Sequence, residues 1–398
     1  MKRALLLFVF GALPFIGTTR ELLDAPHAAG LPACADVATT AADSVKQGFF
    51  RRVINYFDQA TEDRTTHKKI DFTFAGGPSY SKTTKLGLGI LGSGLYRIDR
   101  TDTLTAPSDI SIYANVATSG FYSIGVTGNT IFRGSRRRMY YDLSFTSAPR
   151  DLWGVGYQAG REDRPAEIVE QRYAVQVHFQ QQLFAQMYAG VLLDFNYKRG
   201  RDFDETSERY IGNQRHHYTA TGVGVSLEYD SRDFIPNPSR GVYVSLQEIM
   251  YGKGLGNCAK TLWRTIAQFD FYKQLWKSGL IAFDLYSEFN SAGTPWTMLA
   301  RLGGEERMRG YYEGQYTDRN LITCQVELRQ HLWRRFGCVV WGGAGNVFPT
   351  LSRFRWRETL PNYGVGLRWE LKRRVNVRMD YGFGRSTGGF LLSINEAF

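Results

Sequence analysis

Residues 321–333, LITCQVELRQHLW, alternate apolar and polar side chains from one end of the stretch to the other. Residues 280–289, LIAFDLYSEF, show the same alternation. A period of two residues predicts β-strands. The polar faces of both strands carry charged residues, which seldom occupy a protein core. Strands of this kind are typical of a wide membrane barrel, in which apolar side chains face lipid and charged side chains face a wet lumen.

A long charged loop joins these two strands. It reads TPWTMLARLGGEERMRGYYEGQYTDR, residues 294–319, and has Arg309, Gly310 and Tyr311 at its centre. Because the loop connects two strands of a barrel, its arginines can reach carboxylates on the lumen wall. We therefore expect the loop to fold inward into the barrel.

The alternating pattern begins at Ile70 and continues to the last residue. The composition agrees with a barrel, since the chain holds 42 glycines, 23 tyrosines and 26 phenylalanines but only 12 prolines. The sequence therefore predicts an all-β fold, a sixteen-stranded antiparallel transmembrane β-barrel over residues 70–398. The predicted strands are 70–78, 83–97, 109–118, 120–132, 137–147, 168–181, 183–199, 216–229, 241–251, 260–275, 279–290, 319–333, 336–346, 361–371, 374–385 and 389–398.

The connections between the predicted strands alternate between tight turns and long loops. The tight turns are at residues 372–373, 334–335, 277–278 and 181–182, and the long loops are at 347–360, 291–318, 252–259 and 200–215. Bacterial outer-membrane barrels have short periplasmic turns and longer outer loops, which is the arrangement that this alternation indicates. Residues 230–240 are the exception, because this connection is long although it lies on the side of the tight turns.

The last two predicted strands have the clearest alternation. Arg378 and Asp380 face the lumen in the first of them. The lipid-facing residues of the second are predicted to be Phe390, Leu392, Ile394 and Phe398. A terminal aromatic residue on an alternating strand is typical of bacterial outer-membrane proteins. It resembles the signal that their assembly machinery reads.

The residues before the barrel contain no strand pattern. Lys2 and Arg3 precede an apolar run at residues 4–17, which is too short to span a bilayer, so residues 1–18 are predicted to be a signal peptide. Residues 19–69 then form a short periplasmic segment. Its residues near 45–57 predict a basic amphipathic helix, which either lies on the inner leaflet or packs on the barrel mouth. Cys34 follows a lipoprotein-like sequence, but charged residues separate it from the apolar run, so lipidation is the less favoured alternative.

The net charge of +11 raises the possibility of a nucleic-acid partner. An exported chain rarely meets nucleic acid, and its basic residues alternate with carboxylates. Lumen-facing side chains and contacts with outer-membrane lipids, including lipopolysaccharide, explain the excess more simply. The cysteines lack metal-ligand spacing, and no histidine has a recognisable partner motif for a serine or threonine nucleophile. We therefore predict no catalytic site, no cofactor, no metal site and no enzyme activity.

Several motifs resemble those of one family, the BamA/TamA superfamily, also called bacterial surface antigens. Residues 308–311, MRGY, resemble its VRGF/Y motif on the inward-folded loop. Residues 229–241 resemble its long periplasmic turn, with Asp230, Arg232, Asp233, Pro236 and Gly241 as the motif residues. Residues 149–157 are similar to its F/WGIG segment, and residues 363–369 and 378–382 resemble its penultimate strands. Together the motifs cover residues 70–398.

The resemblance implies that the first and last strands of the barrel meet at a weak seam, which opens sideways. Here the seam would join residues 70–75 to residues 389–398. Its residues would be Phe72, Phe74, Phe390, Leu392, Ile394 and Phe398. The implied function is to assist insertion or translocation of outer-membrane components. The implied partners are client outer-membrane proteins and periplasmic or membrane accessory proteins, in the outer membrane of a Gram-negative bacterium.

The resemblance also implies a role for Arg309, which in the family reaches into the lumen and pairs with carboxylates. Glu327 matches one of these positions. The second acidic position of the family falls at Gly343, so we expect Asp380 to replace it. Arg309, Gly310, Tyr311, Glu327 and Asp380 together form the predicted loop latch. We expect this contact to be hydrated.

One feature departs from the family. Insertases and secretion pores of the superfamily carry periplasmic POTRA domains, and residues 18–69 are too few to form one. The sequence therefore predicts a reduced member. The alternative function is an outer-membrane channel or structural barrel without insertase activity, whose lumen would conduct because the loop at residues 291–318 would not close it.

Overall fold

The computed structural model describes residues 70–81, 83–99, 101, 105, 107–235, 237–372, 375–394 and 396–398. The predicted signal peptide, the segment at residues 19–69 with its amphipathic helix, and Pro236 lie outside the described residues. None of the helices in the described part of the chain has the length and apolar character needed to cross a membrane.

Sixteen antiparallel strands close into a barrel, as the sequence predicts. They are β1 (Ile70–Ser81), β2 (Lys85–Tyr96), β3 (Ser108–Ala117), β4 (Tyr122–Ile131), β5 (Arg137–Leu152), β6 (Ala166–Phe184), β7 (Met187–Arg201), β8 (His217–Asp230), β9 (Gly241–Tyr251), β10 (Leu262–Trp276), β11 (Gly279–Asn290), β14 (Asn320–Trp333), β15 (Phe336–Phe348), β16 (Leu360–Lys372), β17 (Val375–Gly384) and β18 (Thr387–Ile394). Two short strands, β12 (Ala300–Leu302) and β13 (Tyr316–Asp318), form a separate two-stranded sheet within the loop between β11 and β14.

Short helical segments lie between the strands. In the described part of the chain, the α-helices are α1 (Tyr157–Glu162) and α2 (Glu205–Ile211), and the 3₁₀ helices are Arg133–Ser135, Lys253–Leu255, Trp296–Met298, Leu351–Arg353 and Trp356–Glu358. Neither α-helix is among the sequence predictions. Asp204 caps α2, because its carboxylate accepts a hydrogen bond from the Ser207 amide at 2.7 Å.

Alternation along the strands separates the lumen from the outer surface. In β14 the side chains of Gln325 and Glu327 are buried inside, whereas Val326 between them is 41% exposed on the outside. In β17 Asp380 is 1% exposed and its neighbour Tyr381 is 44% exposed. The exposed apolar belt is the surface that a transmembrane barrel offers to lipid.

The last strand is shorter than predicted. It ends at Ile394, so Phe398 does not lie on its lipid-facing side. Instead the inner segment, residues 396–398, turns into the lumen, where the ring centroid of Phe398 is 6.2 Å from that of buried Tyr272. Glu396 supplies the physical reason, because its carboxylate cannot face lipid without a large desolvation cost. It pairs with Arg368 inside the barrel at 2.9 Å.

The seam is also displaced from its predicted position. Tyr80 of β1 pairs with Leu392 of β18, and their neighbour Phe390 lies across the seam with its ring centroid 6.0 Å from that of Tyr80. In this antiparallel register Ile394 stands opposite Pro78, so β18 ends before it reaches residues 70–75. Among the described residues, these first residues of β1 pair only with β2. The prediction that residues 70–75 form the seam is therefore wrong.

Phe72 and Phe74 lie next to β2 instead of across the seam. Their rings stack on each other with centroids 6.2 Å apart. They pair with Gly94 and Gly92, and a Cβ atom built at either glycine would lie 3.0 Å or less from atoms of β1 side chains. The aromatic rings thus cover the glycine backbone of the neighbouring strand.

This register predicts which cysteine pair can be cross-linked across the seam. With Cys34, Cys258, Cys324 and Cys338 replaced by serine, Tyr80→Cys with Leu392→Cys is expected to form a disulfide on oxidation, because bridged Cα atoms lie within about 7 Å of each other. Phe72→Cys with Leu392→Cys should not, because Phe72 is eight residues from Tyr80, or about 27 Å along the strand. Migration of the denatured, non-reduced protein on a gel distinguishes the two. Efficient cross-linking of the Phe72 pair would contradict the register.

Candidate functional site

The loop between β11 and β14 folds into the lumen and brings its own apolar core. Ala300 and Leu302 of β12 pair with Asp318 and Tyr316 of β13. A buried cluster then joins the loop to the barrel wall, and its members are Tyr157, Ala300, Leu302, Met308, Tyr311, Tyr316, Leu321, Val347 and Leu360. The expectation that this loop folds inward is confirmed.

Arg309 lies at the centre of the loop and is 1% exposed. Its Nη1 atom is 2.7 Å from Asp380 Oδ2 on β17, and its Nη2 atom donates to Glu327 Oε1 on β14. The guanidinium plane lies over the Trp341 ring at 3.7 Å from the centroid. A planar group with several fixed donors suits two carboxylates and an aromatic face better than a lysine ammonium would.

Gly310 allows the loop backbone to touch the barrel wall. Its φ is +98°, and a Cβ atom there would lie 2.4 Å from the carbonyl oxygen of Gly382 on β17. A Cβ atom on Gly382 would in turn lie 2.2 Å from the carbonyl oxygen of Arg309. Two glycines are therefore required where the two backbones meet.

Tyr311 completes the contact with the strands next to the seam. Its hydroxyl donates to the carbonyl oxygen of Pro361 at 2.8 Å and accepts from the Arg385 amide at 2.7 Å. Its ring packs against the backbone of Gly384, where a Cβ atom would lie only 2.3 Å from the ring atoms of Tyr311. Arg309, Gly310 and Tyr311 thus all contact β16, β17 or the turn that follows β17.

The structure brings all five predicted latch residues together, and Asp380 occupies the place of the missing family acid. Gly343 lies on β15 opposite Gln325 and Asn362 and offers no carboxylate. The expectation of a hydrated contact is wrong, because the side chains of Arg309, Glu327 and Asp380 are at most 1% exposed. Removing one partner of a buried pair leaves an uncompensated charge, at a cost of about 3–5 kcal/mol.

Further arginines anchor the same loop. Arg307 makes two parallel bonds to Asp284 at 2.9 and 3.0 Å and stacks on Tyr286, with 4.3 Å to the ring centroid. Nearer the outer rim, Arg301 is 2.5 Å from Glu170 of β6. The loop is therefore tied to opposite walls of the barrel.

A second loop covers the inserted one. Trp153 is 4% exposed and its ring centroid lies 5.0 Å from that of Tyr312. Tyr157 stacks on Tyr316 with centroids 5.8 Å apart and accepts a hydrogen bond from Arg385 at 2.6 Å. The residues that resemble the F/WGIG segment therefore pack against the inserted loop, a contact that the motif alone did not predict.

The predicted periplasmic turn is built from local hydrogen bonds. Arg232 makes two bonds of 2.9 Å to the carboxylate of Asp230. Asp233 accepts from the Ser239 amide at 2.8 Å, which closes the turn. Gly241 has a φ of +115°, and a Cβ atom there would lie 2.4 Å from the carbonyl oxygen of Ser231. These contacts lie at both ends of the turn that joins β8 and β9.

His178 has a partner that sequence reasoning missed. Its Nε2 atom is 2.7 Å from Ser226 Oγ across β7, and its Nδ1 atom is 3.9 Å from Glu228. Glu228 is 3.0 Å from Arg138, and the strand amides around Ser226 belong to ladders with β7 and β9. The geometry supports a hydrogen bond within the lumen wall. Among the described residues, no group of His, Cys, Asp and Glu side chains could hold a metal ion.

Other residues of the site also escaped sequence reasoning. Trp341 donates to Asn362 at 3.0 Å, and Asn362 donates to the carbonyl oxygen of Arg309. Arg329 and Arg368 contact Glu327 and Asp380 at 2.9 and 2.5 Å. The period of two places Arg329 in the lumen, but it does not show which carboxylate an arginine will meet.

The close approach at Gly310 generates a prediction about the loop. Gly310→Ala is expected to displace the loop, because a Cβ atom meets a carbonyl oxygen and the positive φ alone costs about 1–3 kcal/mol. Gly342→Ala is the matched control, because a Cβ atom there has no neighbour within 4 Å. Tryptic cleavage after Arg307 in the folded protein should rise in the first variant and stay at the wild-type rate in the second. Equal rates would contradict the contact.

Comparison with known proteins places this chain in a family. The family model described as the Omp85 superfamily domain matches residues 108–398. Among curated proteins, no sequence match to the chain reaches significance.

Solved structures share the barrel. BamA from Haemophilus ducreyi lacking POTRA domains 1–3 is 11% identical, covers 82% of this chain and 70% of its own, and has a TM-score of 0.57. CdiB from Escherichia coli is 10% identical, covers 82% of this chain and 63% of its own, and has a TM-score of 0.58. CdiB from Acinetobacter baumannii is 10% identical, covers 83% of this chain and 60% of its own, and has a TM-score of 0.56. The chain thus spans about three fifths of the two CdiB chains. These similarities show a common fold, and the domain match establishes membership: this chain belongs to the Omp85 superfamily.

Proposed function

We propose that the protein lies in the outer membrane of a Gram-negative bacterium and assists insertion or translocation of outer-membrane components through the seam between β1 and β18. Its proposed partners are client outer-membrane proteins, outer-membrane lipids including lipopolysaccharide, and periplasmic or membrane accessory proteins. The observation that carries the proposal is the short seam: in the described part of the chain, Tyr80 pairs with Leu392 across it, whereas the first residues of β1 pair with β2.

An unpaired strand edge is a template for another strand. Backbone groups that lack a ladder partner can accept an incoming strand by β-augmentation. In the described part of the chain, residues 70–73 have ladder partners only on β2, and they offer such an edge on the periplasmic half of β1, next to the outward-facing ring of Phe72. Pro78 stands where β18 ends, and it has no amide hydrogen to donate to a ladder. These features favour entry of a client strand from the periplasmic side.

The inserted loop favours a lateral route over a central one. Ion pairs of Arg301, Arg307 and Arg309 hold the loop across the lumen. A client passing through the centre would have to break these ion pairs, including the fully buried pair of Arg309 and Asp380. A client at the seam would need to displace only the short β1–β18 ladder.

A reversible cross-link tests the proposed route. The Tyr80→Cys, Leu392→Cys protein, in a background without native cysteines, is expected to lose its ability to restore outer-membrane protein levels in a strain lacking its own copy. Reduction should return the activity, because the barrel itself is unchanged. The two single-cysteine variants serve as controls under the same oxidant. Full activity of the completely cross-linked protein would overturn the lateral route.

The alternative channel function makes a different prediction. Because the loop is buried in the lumen, the wild-type protein in a planar bilayer should show little steady conductance. Gly310→Ala should conduct more, since the displaced loop no longer fills the lumen. A stable, large conductance of the wild-type protein would favour the channel.

A further inference from the structure

We propose that the loop latch and the inner segment after β18 form a single switch, which Glu396 completes. In this view Arg309 and Glu396 are held by one ring of ion pairs, so that the loop and residues 396–398 stabilise each other and are released together. The switch would regulate the opening of the seam between β1 and β18, and in this respect it rests on the proposed function. The coupling itself can be measured on the purified protein without a client.

The charge ring alternates arginine and carboxylate residues. Its members, in order, are Arg309, Glu327, Arg329, Glu396, Arg368 and Asp380. The nitrogen–oxygen distance is 2.9 Å between Glu327 and Arg329 and 3.7 Å between Arg329 and Glu396. It is 2.9 Å between Glu396 and Arg368, 2.5 Å between Arg368 and Asp380, and 2.7 Å between Asp380 and Arg309. Arg309 and Glu327 close the ring by direct contact. Glu396 thus stands across the ring from Arg309 and shares no direct contact with it.

The charge balance explains why the two ends depend on each other. Arg378 also approaches Asp380, at 3.8 Å, and it interacts with Glu305 of the loop as well. None of the side chains of the ring and of Arg378 is more than 8% exposed. If Glu396 leaves, Arg329 and Arg368 lose a counter-ion and pair more strongly with Glu327 and Asp380. Arg309 is then held less strongly, because screening by water is weak at a buried site.

The reverse effect follows from the same geometry. Without Arg309, Glu327 and Asp380 are free to pair fully with Arg329 and Arg368, which weakens the hold of these arginines on Glu396. Linkage requires that the coupling free energy be the same in both directions.

The inner segment has contacts that act through the same arginines. Arg329 donates to the main-chain oxygen of Phe398 at 3.0 Å and lies 5.2 Å from the centroid of its ring. Asn376 donates to Glu396 at 2.7 Å, and Ala397 is 4% exposed. While these contacts persist, the chain beyond β18 is held inside the lumen and cannot extend the ladder with β1. Opening the ring therefore changes the strand that forms one side of the seam.

The carboxyl group of Glu396 is ionised at neutral pH. Burial raises the pKa of its carboxyl group, but Arg368 and Arg329 together outweigh burial and hold this pKa at about 2. The depressed pKa means that Glu396 stabilises the folded protein above its ordinary pKa, and that this stabilisation disappears as the pH falls toward about 2.

A reciprocal labelling experiment tests the switch on the full-length protein without native cysteines. Glu396→Gln is expected to raise the thiol-labelling rate of the Met308→Cys protein, because Met308 is only 2% exposed while the loop is in place. Arg309→Gln is expected to raise the labelling rate of Ala397→Cys. Both increases should be about 5-fold or more, because each substitution breaks the ring of ion pairs that holds the other segment.

The matched control is Glu228→Gln, which removes the charge of another lumen carboxylate, 7% exposed and paired with Arg138 at 3.0 Å on another part of the wall. It should leave both labelling rates unchanged. Asn376→Ala is a milder variant that removes one hydrogen bond from Glu396, and it should raise labelling at position 308 to a smaller extent if Glu396→Gln does not fold.

The outcomes separate this inference from the proposed function. If neither Glu396→Gln nor Asn376→Ala changes labelling at position 308 in a folded, heat-modifiable barrel, the switch is wrong and the lateral route is unaffected. If both rates rise but the cross-linked seam remains active, the switch stands and the lateral route fails.

Discussion

The burial of the Arg309 guanidinium is the constraint on which the rest of the site depends. A charge removed from water must meet opposite charge and hydrogen-bond acceptors, or its desolvation is not offset. Glu327, Asp380 and the face of Trp341 together provide these contacts. These contacts hold the loop in one position in the lumen, and the glycines at 310 and 382 are required because that position brings two backbones into contact.

The location of this contact links the lumen to the seam. Glu327 lies on β14, Arg368 on β16 and Asp380 on β17, and β17 is the immediate neighbour of β18. A loop anchored elsewhere would close the lumen equally well. Anchored here, it holds the strands that support one side of the seam, so its displacement changes their packing and their electrostatics at once. Strain in a closely packed structure is transmitted over such short distances.

The sequence predicted the strands well because the alternation of polar and apolar residues is a local signal. Parity along a strand also placed Glu327 and Asp380 on the lumen side, and the resemblance to the BamA/TamA superfamily implied that Arg309 pairs with them. The sequence predictions were wrong where the structure depends on contacts between residues that are far apart in the sequence. No turn joins β1 to β18, so no local signal sets their register. Likewise, the chain leaves the last strand before Glu396 because this carboxylate pairs with Arg368 and Arg329 inside the barrel, and both arginines are distant in sequence.

A barrel normally removes its strand edges by closing completely, and closure is what makes it stable in lipid. This barrel closes through a ladder much shorter than those between its other strands, with the first residues of β1 opposite no β18 partner in the described part of the chain. The lost ladder bonds must be offset elsewhere for the fold to persist. The buried loop and the charge ring lie beside the weak ladder and tie β14, β16 and β17 together from inside. The lumen contacts therefore stabilise the barrel where its closure is weakest, and they leave the outer edge of β1 unoccupied, as the proposed function requires.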